Sequence, residues 1–512
     1  MLRKEVKILN RQLFRVLLYY YNVMSTQNRN NTTGKVFHGL KNQSMITITI
    51  GILEIISFSI LSRILSQEDF GYYAIVTAVT VILQTITEAG MGSSVIQKKD
   101  PTETYVNTAF SLSFLIGLFS SLFLLFTASF FSRLMIGTDG LTLAFRFMSI
   151  PLFLSNINSI ARALMIRKLD FLRYGLLQII AFIISHGVGI FLASMGYGYY
   201  AMIALAIIGQ LMSTLLLYFH SQFIPKICIN KCEAKKILIF GGWLTGSAIV
   251  RSITEQLDKF ILSHWMSVTT LGAFNRPSGF VSRTTNQING IFDTVLYPII
   301  SRIQNDKEKI GDSYRICVVL ISMFSSILLC IFLLGSKFII RSLFGEKWLD
   351  LTVVFQIMVL SIVAICYNRI ADVFFRATGA VRLYFWNRVF TCVLTIASLY
   401  IGCQFGIVGA AIGLAISKYI DLSVKIVMFR KIIILNNVGL FKQILEGCCC
   451  PFILLLLCAP FLLLEYGSLI SVFLYGVLIV TIIVLKPELL GEMFIQYVYP
   501  QISIVINKLL KK

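Results

Sequence analysis

Charged residues are scarce in this chain. They make up only 13% of the 512 residues, about half of the share found in soluble domains. Hydrophobic residues make up 57%, and the mean hydropathy is +0.82. Such a chain has too little polar surface to cover a water-exposed globule. The alternating segments of about ten residues that are typical of a membrane β-barrel are also missing. The composition therefore predicts an all-α polytopic membrane protein.

Sequence signatures of enzymes and of metal sites are missing as well. The chain has no Gly-rich phosphate-binding loop, no nucleophile elbow and no HExxH helix. The 11 cysteines show neither metal-ligand spacing nor a disulfide framework. We therefore expect no enzymatic activity, no cofactor and no metal ion. The net charge of +21 does not indicate nucleic acid as a partner, because the basic residues gather in short connections between apolar runs, as the positive-inside rule predicts.

Long apolar runs recur along the whole chain. At about 20 residues per crossing, they predict about 14 transmembrane helices. Basic connections alternate with nearly uncharged ones, and an even number of spans places both termini on the basic side. By the positive-inside rule, that side is cytoplasmic. The predicted spans are centred near Ile52, Val81, Leu118, Leu152, Ile183, Leu205, Ile249, Gln287, Met323, Leu360, Leu394, Ile412, Leu455 and Leu478.

Segments of the first half recur about 200 residues later in the same order. Gly137 to Leu143 resembles Gly345 to Leu351, and Leu65 to Gly71 resembles Met266 to Gly272. Spans 1 to 6 and spans 7 to 12 therefore form two copies of a six-helix lobe, a plan suited to alternating access around a central cavity. We divide the chain into a basic cytoplasmic N-terminal segment (1–40), an N-lobe (41–221), a cytoplasmic linker (222–236), a C-lobe (237–430), two further spans (443–486) and a cytoplasmic tail (487–512).

Polar side chains inside the spans are the candidate functional residues, because ionisable groups in hydrocarbon tend to face a cavity or a partner. They concentrate in the first two helices of each repeat, as a shared cavity requires. Arg276 and Arg283 lie seven residues apart on one face of span 8, with no acidic residue three or four positions away. The candidates are Glu54 in span 1, Glu88 in span 2, Arg251, Glu255, Asp258 and Lys259 in span 7, and Arg276, Arg283, Asn286, Gln287 and Asp293 in span 8.

Structural explanations stay open for some of the charged residues. Arg251 and Lys259 each lie four positions from Glu255, so the three side chains neutralise one another if span 7 faces no cavity. His186 on span 5 has no polar companion, and we expect it to be a packing residue. Other basic residues lie close enough to cytoplasmic helix ends to reach the membrane surface. These are Arg376, Arg388 and Lys425.

Two stretches of the chain resemble the signature of a known family. Leu65-Ser-Gln-Glu-Asp-Phe-Gly, followed by Glu88-Ala-Gly-Met-Gly, is similar to one signature region of the polysaccharide flippases. Leu271-Gly-Ala-Phe-Asn-Arg-Pro, with Tyr297-Pro-Ile-Ile-Ser-Arg, is similar to another. The chain thus resembles this branch of the multidrug/oligosaccharidyl-lipid/polysaccharide exporter superfamily from about residue 36 to residue 431, and the fourteen-span, two-lobe plan is also that of the family.

The resemblance implies a transporter that flips a polyprenyl-diphosphate-linked oligosaccharide from the cytoplasmic to the periplasmic leaflet. Its members export lipid-linked sugars of the O-antigen, colanic or teichuronic type. The residues expected to bind the diphosphate or sugar are then Arg276, Arg283, Arg251, Lys259, Asn286 and Gln287. The residues expected to couple transport to protons or Na⁺, or to gate the cavity, are Glu54, Glu88, Glu255, Asp258 and Asp293.

Two other functions stay open at this point. A cation-coupled multidrug antiporter of the same superfamily would bind H⁺ or Na⁺ at Glu54 or Glu255, although a cavity rich in arginine suits an anionic substrate better. A membrane polysaccharide polymerase or ligase is disfavoured by the short outer connections. The expected partners are the lipid-linked oligosaccharide, membrane lipids, and the polymerase and glycosyltransferases of the same pathway. We expect a monomer that binds no nucleic acid.

Overall fold

The structure, a computed structural model, describes residues 32–88, 91–98, 100–168, 170–221, 223–303, 306–429 and 467–485, together with positions 453, 455–458 and 460. Throughout this part of the chain the regular secondary structure is helical, and no β-strand is present in it. The predicted all-α membrane architecture is confirmed.

Within the described residues up to 429, twelve long helices correspond in order to the first twelve predicted spans. A short helix, Met91–Gln97, follows the second of them, and short helical turns occupy the segment 336–351. A further helix, Gly467–Leu485, coincides with the last predicted span. The long helices are α1 Thr32–Ile64, α2 Gln67–Glu88, α3 Glu103–Ile136, α4 Thr142–Arg167, α5 Phe171–Ser194, α6 Tyr199–Ser221, α7 Lys231–Trp265, α8 Val268–Arg302, α9 Lys307–Leu334, α10 Thr352–Ala377, α11 Val381–Cys403 and α12 Gly406–Phe429.

Ten helices in the described part of the chain are long and apolar enough to cross a membrane, namely α1 to α6 and α9 to α12. The other two, α7 and α8, are 35 residues long but less apolar, because they carry most of the charged candidates. The total of fourteen spans stays a prediction, since most of span 13 lies outside the described residues. Residues 1–31 and the predicted tail, 487–512, also lie outside them.

The C-lobe repeats the helix packing of the N-lobe. In the N-lobe, α3 packs on α4, α5 on α6, and α4 on α6; in the C-lobe the equivalent contacts are α9 on α10, α11 on α12, and α10 on α12. Between the lobes, α2 contacts both α7 and α8, and α3 contacts α7. The predicted pair of six-helix lobes is confirmed, while the residue limits that we assign to each lobe stay predictions.

Glycines with positive φ mark equivalent turns of the two lobes. Gly137, before α4, has φ 70°, and its counterpart Gly345, before α10, has φ 98°. Gly198, which precedes α6, and Gly406, which is the first residue of α12, have φ 55° and 75°. Residues with a Cβ atom avoid this backbone region, so each turn needs its glycine. Glycine with positive φ therefore recurs at equivalent positions of the two lobes, although Gly137 has ψ 1° and Gly345 has ψ 169°.

Polar side chains of the first signature region fix the start of α2. Ser66 Oγ accepts a hydrogen bond from the backbone N of Asp69 at 3.1 Å, and Asp69 Oδ2 accepts one from the backbone N of Ser66 at 2.9 Å, which together form a capping box. Asp69 Oδ1 also accepts a bond from the backbone N of Tyr199 at 2.9 Å, which ties α2 to α6. In the C-lobe, Ser267 Oγ accepts from the backbone N of Thr270 at 3.1 Å. The family signature thus holds equivalent turns at one end of both lobes.

Candidate functional site

The two lobes approach each other most closely where α2 and α8 begin. Gly71 on α2 and Gly272 on α8 occupy equivalent repeat positions. A Cβ atom on Gly272 would lie 1.7 Å from the carbonyl oxygen of Gln67, and one on Gly71 would lie 2.0 Å from that of Val268. Only glycine permits so close an approach of two backbones. We call this end of the bundle the sealed end, and the opposite end, which carries the basic connections, the basic end.

The segment between α9 and α10 closes over the sealed end. Trp348 is fully buried, and its Nε1 donates a hydrogen bond to the carbonyl oxygen of Ser62 at 3.1 Å. Arg63 Nη2 donates to the carbonyl oxygen of Ser342 at 2.6 Å, and Lys347 Nζ donates to that of Arg63 at 3.2 Å. A segment of the C-lobe therefore covers the turn between the first two helices of the N-lobe.

Arg276 lies one turn of α8 below this closure. Its guanidinium carbon is 2.9 Å from the ring centre of Phe70 and 3.9 Å from that of Phe58. Only 5% of the residue is exposed, and its Nε and Nη2 atoms have no hydrogen-bond partner among the described residues. Aromatic faces stabilise a guanidinium ion, but burying donors without acceptors is costly. Arg276 is thus a cation with unused donors, held between helices of the two lobes.

Arg283 lies two turns further along the same face and is exposed. It is about 22 Å along α8 from the start of the helix, within a hydrocarbon layer about 30 Å thick. Its guanidinium carbon is 5.3 Å from the ring centre of Phe58, on α1 of the other lobe. Its charge also acts on Tyr73 and His186 of the N-lobe and on Lys259 of α7. An arginine in this position therefore faces the space between the lobes.

The charged residues of α7 do not neutralise one another completely. Arg251 Nε is 3.9 Å from Glu255 Oε1, and their side chains are 43% and 61% exposed. Such an exposed, widely spaced pair is weak. Asp258 accepts a hydrogen bond from the backbone N of Lys259 at 2.9 Å. Lys259 is partly buried and lies within electrostatic range of both Glu255 and Arg283. The predicted i,i+4 pairing is present in part, and charge remains on the face of α7 near Arg283.

The remaining predicted site residues are in different surroundings. Glu54 lines a cavity of about 430 Å³ inside the N-lobe. Glu88 instead pairs with Arg162 at 3.4 Å and accepts a hydrogen bond from Gln84 Nε2 at 2.6 Å. Asn286 is exposed on α8. Two further candidates lie on α8, but their side chains lie outside the described residues: Gln287 and Asp293.

A buried ion cluster in the C-lobe was not foreseen. Lys425 Nζ lies 2.9 Å from Asp372 Oδ1 and 3.0 Å from Asp421 Oδ2, and its side chain is 1% exposed. Arg388 also pairs with Asp372. The expectation that Arg388 and Lys425 reach the cytoplasmic surface is wrong, because α10, α11 and α12 pack these cations against carboxylates inside the lobe. This cluster is separate from the cationic face of α8.

Two solved structures of transporters have the same two-lobe architecture. The lipid II flippase MurJ, in an inward closed conformation, superimposes with a TM-score of 0.70 at 14% identity, over 86% of this chain and 98% of that chain. An inward-facing multidrug resistance MATE family transporter of the MOP superfamily gives 0.61 at 14% identity, over 78% and 99% of the two chains. These likenesses show that the chain has the same two-lobe fold, that of a multi-pass membrane protein.

Sequence comparison then gives the family. The model of a polysaccharide biosynthesis protein family matches residues 60–353, more than half of the chain, and the chain belongs to this family. It is 22% identical over 432 residues to the lipopolysaccharide biosynthesis protein WzxC of Escherichia coli, covering 82% of this chain and 85% of that protein. It is 25% identical over 378 residues to the succinoglycan biosynthesis transport protein ExoT of Rhizobium meliloti, covering 72% and 75%. The resemblance inferred from the signature residues, and the prediction of a transporter rather than an enzyme, are confirmed.

Proposed function

We propose that this protein moves a polyprenyl-diphosphate-linked oligosaccharide from the cytoplasmic to the periplasmic leaflet of the bacterial inner membrane. The observation that carries the proposal is the cationic face of α8. Arg276 and Arg283 both lie within the membrane-spanning bundle and between the lobes, and neither forms an ion pair with the described residues. Arginine at such a depth is costly unless it serves a cavity or a ligand.

A diphosphate is the part of the substrate that most needs these residues. It carries about two negative charges, which hydrocarbon does not admit unaided. The planar guanidinium fork matches phosphate oxygens and donates two hydrogen bonds at once. A cationic drug, the substrate of the alternative antiporter, would be repelled by the same face. The names of relatives agree with an anionic, sugar-bearing substrate, since one is a teichuronic acid biosynthesis protein of Bacillus subtilis and another a putative O-antigen transporter of Shigella flexneri.

The two arginines suggest an order of events. The basic connections assign the basic end to the cytoplasm by the positive-inside rule, so the sealed end faces the periplasm. Arg283 is exposed and meets the diphosphate first, while Arg276 is covered by Phe58 and Phe70. Separation of the lobes at the sealed end removes those rings and frees Arg276 to take the diphosphate outward. Rocking of the two lobes about a central site is the motion expected of such repeats.

The carboxylates near this face are candidates for coupling the cycle to an ion gradient. Glu255 and Asp258 lie on α7, within electrostatic range of the Lys259 ammonium group, and Glu54 lies on α1. Glu88 is a weaker candidate because Arg162 already neutralises it. We propose that the protein works as a monomer, and that the lipid-linked substrate and the membrane lipids are its direct partners.

The test replaces the arginines in the full-length protein. Arg283→Ala is expected to reduce surface polysaccharide about tenfold or more, since a charge-assisted hydrogen bond to phosphate is worth about 1.5–3 kcal/mol. Arg283→Lys keeps the charge but loses the fork, so it is expected to retain more export than Arg283→Ala. Surface polysaccharide and membrane-inserted protein are measured together in a strain from which the chromosomal gene for this protein has been deleted.

Arg382→Ala is the matched control, because Arg382 is an exposed arginine in the first turn of α11. It is expected to leave export unchanged. Normal export by a well-inserted Arg276→Ala/Arg283→Ala double variant would contradict the cationic site. Extrusion of a cationic dye by that variant at the wild-type rate would favour the antiporter.

A further inference from the structure

The cavity of the N-lobe is separate from the cationic face of α8. It has a volume of about 430 Å³ and lies among α1, α2, α4, α5 and α6. This volume falls within the range of about 300–1,000 Å³ that is usual for small-molecule sites. Among the described residues that line it, Glu54 is the only carboxylate, and there is no lysine or arginine.

Neutral hydrogen-bonding groups dominate the polar part of the wall. Hydroxyl groups and side-chain amides of α2, α5 and α6 line the cavity, so the polar part of its wall offers both donors and acceptors. An anionic ligand would find no lysine or arginine among the described lining residues to balance its charge. The neutral polar residues include Thr77, Thr80, Gln84, Gln178, Gln210 and Ser213.

Most of these groups keep unused hydrogen-bonding capacity. Thr77 and Thr80 donate to backbone carbonyl oxygens of α2 at 2.8 Å, which leaves their lone pairs free to accept. Gln178 Nε2 donates to Ser213 Oγ at 2.9 Å, which leaves the amide oxygen and a second N–H. The side-chain amide of Gln210 bonds none of the described residues. Paired donors and acceptors of this kind match vicinal hydroxyl groups, each of which donates and accepts.

An aromatic surface borders the same space. The rings of Phe182 and His186 are stacked, with centres 3.5 Å apart and an angle of 16° between their planes, and both residues line the cavity. His186 Nδ1 is 3.0 Å from the carbonyl oxygen of Phe182, which fixes the ring. Aromatic faces pack against apolar C–H groups, and a pyranose ring presents such groups on its faces while its rim carries hydroxyls. The cavity therefore offers both surfaces that a sugar ring requires.

The cavity and the cationic face of α8 are neighbours. Tyr73 and His186 line the cavity, and both lie within electrostatic range of Arg283. Arg283 also lies 5.3 Å from the ring centre of Phe58, one turn of α1 beyond the lining residue Glu54, so a diphosphate held by Arg283 lies close to this wall of the cavity. The sugar attached directly to that diphosphate is then the group best placed to enter it.

We propose that the N-lobe cavity is a subsite for an uncharged sugar residue of the lipid-linked oligosaccharide, with Gln178 and Gln210 as its specificity-determining residues. This inference rests on the proposed function, and it assigns a different part of the substrate to each lobe. The C-lobe holds the diphosphate through α8, and the N-lobe recognises the sugar. The single carboxylate, Glu54, disfavours an acidic sugar in this subsite.

The test compares the binding of two lipids to the purified full-length protein in nanodiscs. One is undecaprenyl diphosphate without sugar, and the other is the undecaprenyl-diphosphate-linked repeat unit extracted from the host strain. Gln178→Leu/Gln210→Leu is expected to weaken binding of the glycosylated lipid about tenfold, and to leave binding of the sugar-free lipid unchanged. Arg283→Ala is expected to weaken binding of both lipids. Gln356→Leu is the matched control, because Gln356 bonds Ser336 in the C-lobe, away from the cavity.

The outcomes distinguish failure of the sugar subsite from failure of the proposed function. Wild-type protein that binds both lipids equally, or a double variant that binds the glycosylated lipid as wild type does, overturns the subsite and leaves the proposed function standing. Failure of the wild-type protein to bind either lipid overturns both. The comparison between lipids in the wild-type protein needs no variant to fold, and binding of the sugar-free lipid reports the folding of the double variant.

Discussion

The two lobes share a helix arrangement but use their polar residues differently. In the N-lobe, neutral amides and hydroxyls line a cavity, and the ion pair between Arg162 and Glu88 is partly exposed. In the C-lobe, Lys425, Arg388 and their carboxylate partners are packed inside the helix bundle. The repeated backbone therefore does not dictate what the interior of a lobe does. One lobe keeps space for a ligand, and the other fills its interior with paired charges.

This difference has an energetic consequence. A cavity wall of neutral polar groups can be rehydrated when one group is removed, because water reaches the space left behind. A buried ion cluster cannot be rehydrated in this way. Removing one partner leaves an uncompensated charge in a medium of low dielectric constant. We therefore expect the C-lobe to depend on its charges for folding and the N-lobe to depend on its polar groups mainly for function.

The largest effect is expected from Lys425→Ala. Asp372 and Asp421 would lose the ammonium group between them, at a cost of about 3–5 kcal/mol, which is typical of breaking a buried ion pair. Most of the protein should then fail to accumulate in the membrane. Arg162→Ala in the N-lobe should be tolerated much better, because its side chain is 43% exposed. Immunoblots of washed membranes measure both variants.

Replacing the whole cluster with hydrophobic residues tests whether an unpaired charge is what prevents accumulation of the Lys425→Ala protein. Asp372→Leu combined with Lys425→Met, Asp421→Leu and Arg388→Met removes both signs of charge together. Insertion should recover relative to Lys425→Ala, since two charges of each sign are removed together. Equal amounts of Lys425→Ala and Arg162→Ala protein in the membrane would show that the two lobes do not differ in this respect.

Much of the fold was predictable from the sequence because its signals are local. Apolar runs mark the helices, and the glycines at 137, 198, 345 and 406 mark turns that recur with the repeat. The signature residues Ser66 and Asp69 bond each other three positions apart, so their capping role is also a local property. Such features need no knowledge of how the helices pack.

The ion cluster was misjudged because its main contact is not local. Lys425 lies four residues from the last residue of α12, and distance along a helix suggests that its ammonium group reaches the surface. Its partner Asp372 comes from α10, which packs over that part of α12. The Asp421–Lys425 spacing of four residues was a visible signal for pairing. The burial of Arg276 could not be predicted from the sequence for the same reason, since Phe70 and Phe58 approach it from the other lobe.

A smaller effect is expected where the lobes contribute equally, at the sealed end. Gly272→Ala places a Cβ atom against the carbonyl oxygen of Gln67 and should cost the sealed state about 1–3 kcal/mol. This corresponds to a change of roughly 5- to 150-fold in the ratio of sealed to open protein. A cysteine introduced by Ser62→Cys, at a buried position of the closure, should then react with an impermeant maleimide added outside the cell.

Gly279→Ala is the matched control on the same helix, because no atom lies within 4 Å of its added Cβ. It should leave Ser62→Cys unreactive. Gly71→Ala should behave as Gly272→Ala does if the two lobes share the contact equally. Reactivity with Gly272→Ala alone would show that the C-lobe governs the closure.

The smallest effects are expected from ion pairs at equivalent outer turns of the two lobes. Hydrogen bonds from Arg133, and then from Ser129, lower the pKa of Asp139 to about 2. A depressed pKa means that the stabilisation is fully present above the unfolded value of about 3.9 and is lost only as the pH falls through about 2. The pair therefore contributes equally at pH 5 and pH 8. Its exposure nevertheless makes the contribution small. In the C-lobe, Glu346 forms a similarly exposed ion pair with Arg341 at 3.0 Å. Asp139→Asn and Glu346→Gln should each leave the thermal unfolding midpoint of the purified protein nearly unchanged at both pH values. A marked drop for one variant alone would reveal a further difference between the lobes.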